Sequence, residues 1–177
     1  MILLEHVPRE GMAFRCFDYL PQDLARDEVN ETVTDRVKIA FSLTRDSDGY
    51  PPADWEHLWA IRRGENEYEL DNVPFFAKGV SSGDLVSVTS DQDQLKFGMV
   101  LKYGGHSTLR VIVFDSSQKE SIRSDLAKLG CETEGSHLPD LFAVDVPPNV
   151  ELASVIGYLV NKAEEDTLDY EESAVRY

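Results

Sequence analysis

Gly104-Gly105-His106-Ser107-Thr108-Leu109-Arg110 is where one kind of sequence gives way to another. On its N-terminal side, from Arg36, apolar and polar residues alternate. Val37, Ile39, Phe41 and Leu43 are separated by Lys38, Ala40 and Ser42, the period-two mark of a strand with one buried face. Further strands are expected at Glu56–Arg63, Glu67–Asn72, Leu85–Thr89 and Leu95–Tyr103, with a hairpin at Gly64-Glu65-Asn66. Five short antiparallel strands with tight turns in about seventy residues leave few solutions, and a small SH3-like or OB-like barrel over residues 36–107 is the economical one.

After Thr108 the pattern changes. Leu109–Phe114 reads as an apolar strand, and Ser117-Gln118-Lys119-Glu120 as a capping box opening a helix through Ile122, Leu126 and Leu129, with Gly130 at its C-terminal end. Cys131–Gly135 and Leu141–Val146 form a hairpin about the loop Ser136–Asp140. Pro147-Pro148-Asn149 then starts a second helix with Leu152, Val155, Ile156, Leu159, Val160 and Ala163 on one side, before a last strand at Ser173–Tyr177. Strand, helix, strand, strand, helix, strand is the order of the ferredoxin-like split unit. The fold class expected is therefore α+β: a five-stranded antiparallel barrel-like domain packed on a ferredoxin-like domain over 108–177, preceded by a loosely ordered acidic arm over 1–35.

Lys and Arg number 17 against 33 Asp and Glu, a formal net charge of −16. Such a surface repels nucleic-acid phosphates and anionic bilayers and is complemented by a cationic protein. The last third is the most acidic, with 6 basic and 14 acidic groups over 109–177. Glu164, Glu165, Asp166, Asp169, Glu171 and Glu172 fall there without an intervening Lys or Arg, around an expected helix C-terminus, where the macrodipole disfavours anions. The run is either a solvated face that keeps the protein soluble or a docking patch for a basic partner, with His137 and Asp140 of the neighbouring loop alongside. No run approaches eighteen apolar residues, and acids interrupt the apolar triplet at the start, so neither a membrane helix nor a secretory signal is expected and the cytosol is the expected compartment. Cys16 and Cys131 lack metal-ligand spacing and read as reduced thiols.

Gly104–Thr108 is the one place where a His, two hydroxyls and glycines converge, yet adjacent His and Ser side chains rarely reach each other within one turn, so the segment reads as an interdomain turn rather than a hydrolase site. Leu70-Asp71-Asn72-Val73-Pro74-Phe75-Phe76 breaks the strand pattern in the same way. Its phenylalanines read as core plugs; the alternative is a small-molecule pocket at the domain junction, drawn from Trp59, Asn72, Phe75, Phe76, His106, Ser107 and Arg110. The remaining histidines and the carboxylates show no zinc spacing, so no metal or cofactor is expected.

Leu58-Trp59, the Leu70–Phe76 segment with Ala77 and Gly79, Gly83-Asp84, and Gly105-His106-Ser107-Thr108 followed by Arg110 together resemble the bacterial domain of unknown function 4265 family, over roughly residues 36–150. The resemblance implies a bacterial source and carries no catalytic role. Without an assembled reactive centre, the leading expectation is a non-catalytic binding module, an immunity-type protein that neutralises a basic bacterial toxin domain. The second is a small-ligand sensor using the junction pocket, and an enzyme is third.

Overall fold

Alternation of apolar and polar residues builds the first sheet. The computed structural model describes residues 36–92, 94–136 and 138–176, so the expected arm at 1–35 and His137 lie outside the described residues. Strands β1 (Arg36–Ser42), β2 (Trp55–Gly64), β3 (Glu67–Leu70), β4 (Leu85–Asp91) and β5 (Gln94–Lys102) form a closed barrel in meander order. Ile39, Phe41, Leu58, Ala60, Leu70 and Val86 point inward and fill it, and Phe41 stacks on Phe97 with ring centroids 4.5 Å apart. The neighbouring pairs are antiparallel as expected, but the closing pair β1–β5 is parallel, with Ile39 opposite Leu95. Odd numbering causes this: the first and fifth strands of a meander run the same way.

The second sheet contains β6 (Ser107–Val113), β7 (Glu132–Gly135), β8 (Leu141–Val146) and β9 (Leu168–Ala174) in the order β7-β8-β6-β9, all antiparallel, with α1 (Lys119–Lys128) and α2 (Leu152–Glu164) between strands. Both helices cover one face. Ile122 and Leu126 of α1 and Val155 and Leu159 of α2 close over Leu109, Val111, Phe142, Val144 and Leu168. The opposite face is polar. Across its strands Glu134, Ala143, Arg110 and Glu171 share one row, and Glu132, Asp145, Thr108 and Ala174 the next. Both sheets belong to one compact unit over Thr34–Tyr177.

Two local expectations are corrected. Ser117 does not cap α1: the Asp115 carboxylate accepts from the Ser117 N–H, setting a short 3-10 turn at Ser116–Gln118 from which α1 continues. An Asp oxygen reaches the amide two residues on, so the cap falls two positions earlier than the box pattern implies. The last strand is Leu168–Ala174 rather than Ser173–Tyr177, because α2 ends at Glu164 and Asp166 turns the chain with φ of 52°. Asp169, Glu171 and Glu172 are therefore strand residues, and the macrodipole argument applies only to Glu164, Glu165 and Asp166. No helix among the described residues is long and apolar enough to cross a membrane.

Phe142, fully buried between sheet and helices, should lower unfolding free energy by about 3–5 kcal/mol when replaced by Ala. Val160→Ala on the exposed side of α2 should change it by less than about 0.5 kcal/mol in the same urea titration. Equal effects would contradict this assignment of the helix faces.

Candidate functional site at the junction of barrel and sheet

Residues 71–84, between β3 and β4, are irregular and lie against the polar face of the second sheet. Backbone N–H and C=O groups removed from water need partners, and irregular chain cannot supply them from a ladder. Side chains from both sheets do so instead. The Glu56 carboxylate, near the start of β2, accepts from the N–H groups of Phe75, Phe76 and Ala77 at 2.6, 2.9 and 2.6 Å. Glu134 of β7 accepts from the Val73 N–H. Arg110 of β6, only 1% exposed, donates to the Ala77 carbonyl at 3.0 Å and to Glu171 at 2.9 Å, and Lys78 meets the other Glu171 oxygen at 2.9 Å. Arg176 donates to the Gly79 carbonyl at 2.9 Å and stands 3.4 Å from Asp84.

Asp84, with no solvent exposure, ties the two ends of the seam together. One oxygen accepts from the Ser81 N–H at 2.9 Å and the other from the Gly104 N–H at 2.8 Å. Thr108 donates to Ser81 Oγ at 3.0 Å. The backbones approach so closely that a Cβ at Gly104 would lie 2.3 Å from the Gly83 carbonyl oxygen. This is the physical reason for glycine at that turn.

Burial and charge compete at each acid. Desolvation pushes the Glu171 carboxyl up, but the Lys78 hydrogen bond and the Arg110 charge outweigh it and hold the group below 4.5. Burial raises Glu134, against the Val73 N–H. Burial also raises Asp145, opposed by the hydrogen bond and charge of His106 and reinforced by Glu132. Burial, and to a lesser degree the charge of Asp145, pushes the Cys131 thiol up to about 11, so it is protonated and unreactive at neutral pH.

His106 Nδ1 lies 2.8 Å from Asp145 Oδ2, and its ring edge passes over Gly83. A carboxylate on Nδ1 is the orientation of a general base. Ser107, the adjacent hydroxyl, is committed elsewhere: its Oγ accepts from the Arg176 N–H at 2.9 Å, and the residue is buried. The junction residues expected to share a pocket are distributed along the seam. Trp59 faces outward on β2, with its backbone N–H donating to Asn72 Oδ1 at 2.8 Å. Phe75 and Phe76 are half-buried, Phe76 edge-on to Tyr50, near the Ala77 carbonyl that Arg110 holds. Ser107 instead borders a shallow depression with Gly105, Pro148, Leu152 and Arg176.

The acidic run is likewise divided. Glu164, Glu165, Asp166 and Glu172 are exposed, with Glu165 paired to Lys162 at 2.7 Å. Asp169 is half-buried and accepts from the Tyr170 N–H, while Glu171 belongs to the seam. Asp140 accepts from Ser116 Oγ. Sequence reasoning assigned no role to Glu56, Asp84, Glu134, Asp145 and Arg176, because the partners that give them one lie far along the chain.

Two expectations follow for the seam. Glu171→Gln strands Arg110 and should destabilise by about 3 kcal/mol at neutral pH. Because the folded carboxyl titrates below 4.5, the stabilisation is complete above that value and lost as pH falls through the folded one; the variant's stability profile should be flatter there in acid unfolding experiments. Gly104→Ala should lower the melting temperature strongly, whereas Gly135→Ala, which meets nothing within 4 Å, should leave it nearly unchanged. Equal tolerance at both glycines would contradict the close approach.

A crystal structure of a hypothetical protein from Neisseria gonorrhoeae superposes with a TM-score of 0.69, covering 80% of this chain and 96% of that chain at 18% identity, a likeness of fold. No curated protein matches the chain. The family described as a domain of unknown function (DUF4265) matches residues 56–170, a span that runs from β2 into β9 and contains residues 71–84 with Glu56, Arg110 and Glu134, while Glu171 and Arg176 of the seam follow it. The chain belongs to the DUF4265 family.

Proposed function

We propose that this chain is a non-catalytic protein-binding module of the immunity type, which neutralises a basic bacterial toxin domain by direct binding in the cytosol. The observation that carries the reading is the group of exposed carboxylates Glu164, Glu165 and Asp166 where α2 ends, with Glu172 further along the edge strand β9, in a chain of net charge −16. Among the described residues β9 has β6 as its one strand neighbour, so its other edge stands beside those acids. Acid on an edge strand discourages pairing with another copy of the chain and at the same time steers a cationic surface toward it. Within this reading the second sheet and its helices act as a ferredoxin-like unit that displays the ridge, and the barrel packed on it stiffens the sheet through Arg110 and Glu171.

The direct test is co-expression with the product of the neighbouring gene, followed by binding of the purified pair. Protection from toxicity is expected, with affinity falling steeply as salt rises. Combined Glu164→Lys, Glu165→Lys, Asp166→Lys and Glu172→Lys substitutions should weaken the complex roughly tenfold or more, chiefly through slower association. Protection that survives those reversals unchanged would remove the acidic ridge from the account.

A further inference from the structure

The part of the barrel's outer face formed by β1, β2 and β5 differs in charge from the rest of the chain, including the neighbouring β3, which turns Glu67 and Glu69 outward. Its strands β1, β2 and β5 point Arg36, Lys38, Trp55, His57, Trp59 and Lys96 outward, and no Asp or Glu occupies an outward position on them among the described residues. In a chain with 33 acids this is a marked segregation. Among the described residues carboxylates reach these strands from neighbouring segments, Asp71 on Arg36 at 2.8 Å, Glu69 on Arg63 at 3.0 Å and Asp91 on Lys96 at 2.6 Å. Lys38 makes no ion pair among the described residues.

Both tryptophans of the chain are on this face, 43% and 38% exposed for Trp55 and Trp59. Cations hold them: Lys38 and Arg36 lie 4.8 and 5.0 Å from the Trp59 ring centre, and Lys96 5.5 Å from that of Trp55. Between them the row His57, Ala40, Lys96 crosses three strands, and the small Ala40 leaves its larger neighbours to form the surface. The indoles are four residues apart on one strand, roughly 13 Å, about the reach of two or three nucleotides.

From this we infer that the outer face of the barrel binds single-stranded nucleic acid, with bases stacked on Trp55 and Trp59 and phosphates met by Lys38, Arg36 and Lys96. Flat aromatic platforms interleaved with cations reward a ligand that alternates π faces with negative charge. An acidic peptide would satisfy the cations and leave both indoles uncovered. The net charge of −16 acts against the approach of any polyanion, but screening confines that repulsion to about 8 Å at physiological salt, so contact is decided by the local face.

Since both tryptophans are on the face, intrinsic fluorescence of the full chain is the assay. Titration with oligothymidylate and oligouridylate of about twelve nucleotides should quench emission, more weakly as salt rises. Trp59→Ala and Trp55→Ala, each read through the remaining indole, should weaken binding roughly tenfold, and Lys38→Ala should lower the salt slope by about 0.7. Melting curves of the variants separate loss of binding from loss of fold. Absence of quenching by either oligonucleotide, unchanged affinity in both Trp variants, or equal quenching by polyglutamate or by duplex of the same length would overturn the inference.

Discussion

Residues 71–84 must lie against a sheet without forming a strand, and much of the unusual chemistry of this protein answers that constraint. A strand would bring its own ladder; an irregular segment brings amides and carbonyls without one, several of them buried or half-buried where it meets the sheet. Leaving one such group unpaired costs about 1–3 kcal/mol. Glu56 meets three consecutive amides, Arg110 and Arg176 meet two carbonyls, and Asp84 holds both the segment's end and Gly104. The buried charges are tolerated because each is hydrogen-bonded by the segment it holds, and the network is sound only when complete. This also explains why the second sheet is apolar toward its helices and polar toward the barrel.

Much of the architecture was legible because it rests on local periodicity. Alternation around Val37, Ile39 and Phe41 and helical spacing around Ile122 and Leu126 are each visible within a few residues, and they yield the element order. The seam was not legible, because its acids look like any other acids: Glu56 lies 19 to 21 residues before the amides it binds, and Glu134 is 61 residues from Val73. Strand β9 was misplaced because polar residues dominate it, leaving Leu168 and Ala174 as its buried positions. The expected pocket grouped residues by their rarity in sequence, whereas the fold ranges them along a line of contact.

Charge in this molecule is segregated rather than simply negative. Carboxylates crowd the end of α2 and the edge of β9, the outer face of β1, β2 and β5 is cationic and aromatic, and the seam between the two sheets carries both signs, with pairs such as Arg110 and Glu171 beside acids such as Glu56 that are held by backbone amides. Long-range steering follows the sum, which is acidic; short-range recognition follows each face separately. A single net charge therefore speaks for encounter and not for every contact that follows it.

The seam makes barrel and sheet one cooperative body, and denaturant unfolding with two probes tests that most directly. The only tryptophans, Trp55 and Trp59, report on the barrel, while the far-ultraviolet helical signal reports on α1 and α2 over the second sheet. The account predicts that the two transitions coincide in midpoint and steepness. Tryptophan and helix signals that separate into two transitions would show that residues 71–84 do not join the layers, and would contradict it.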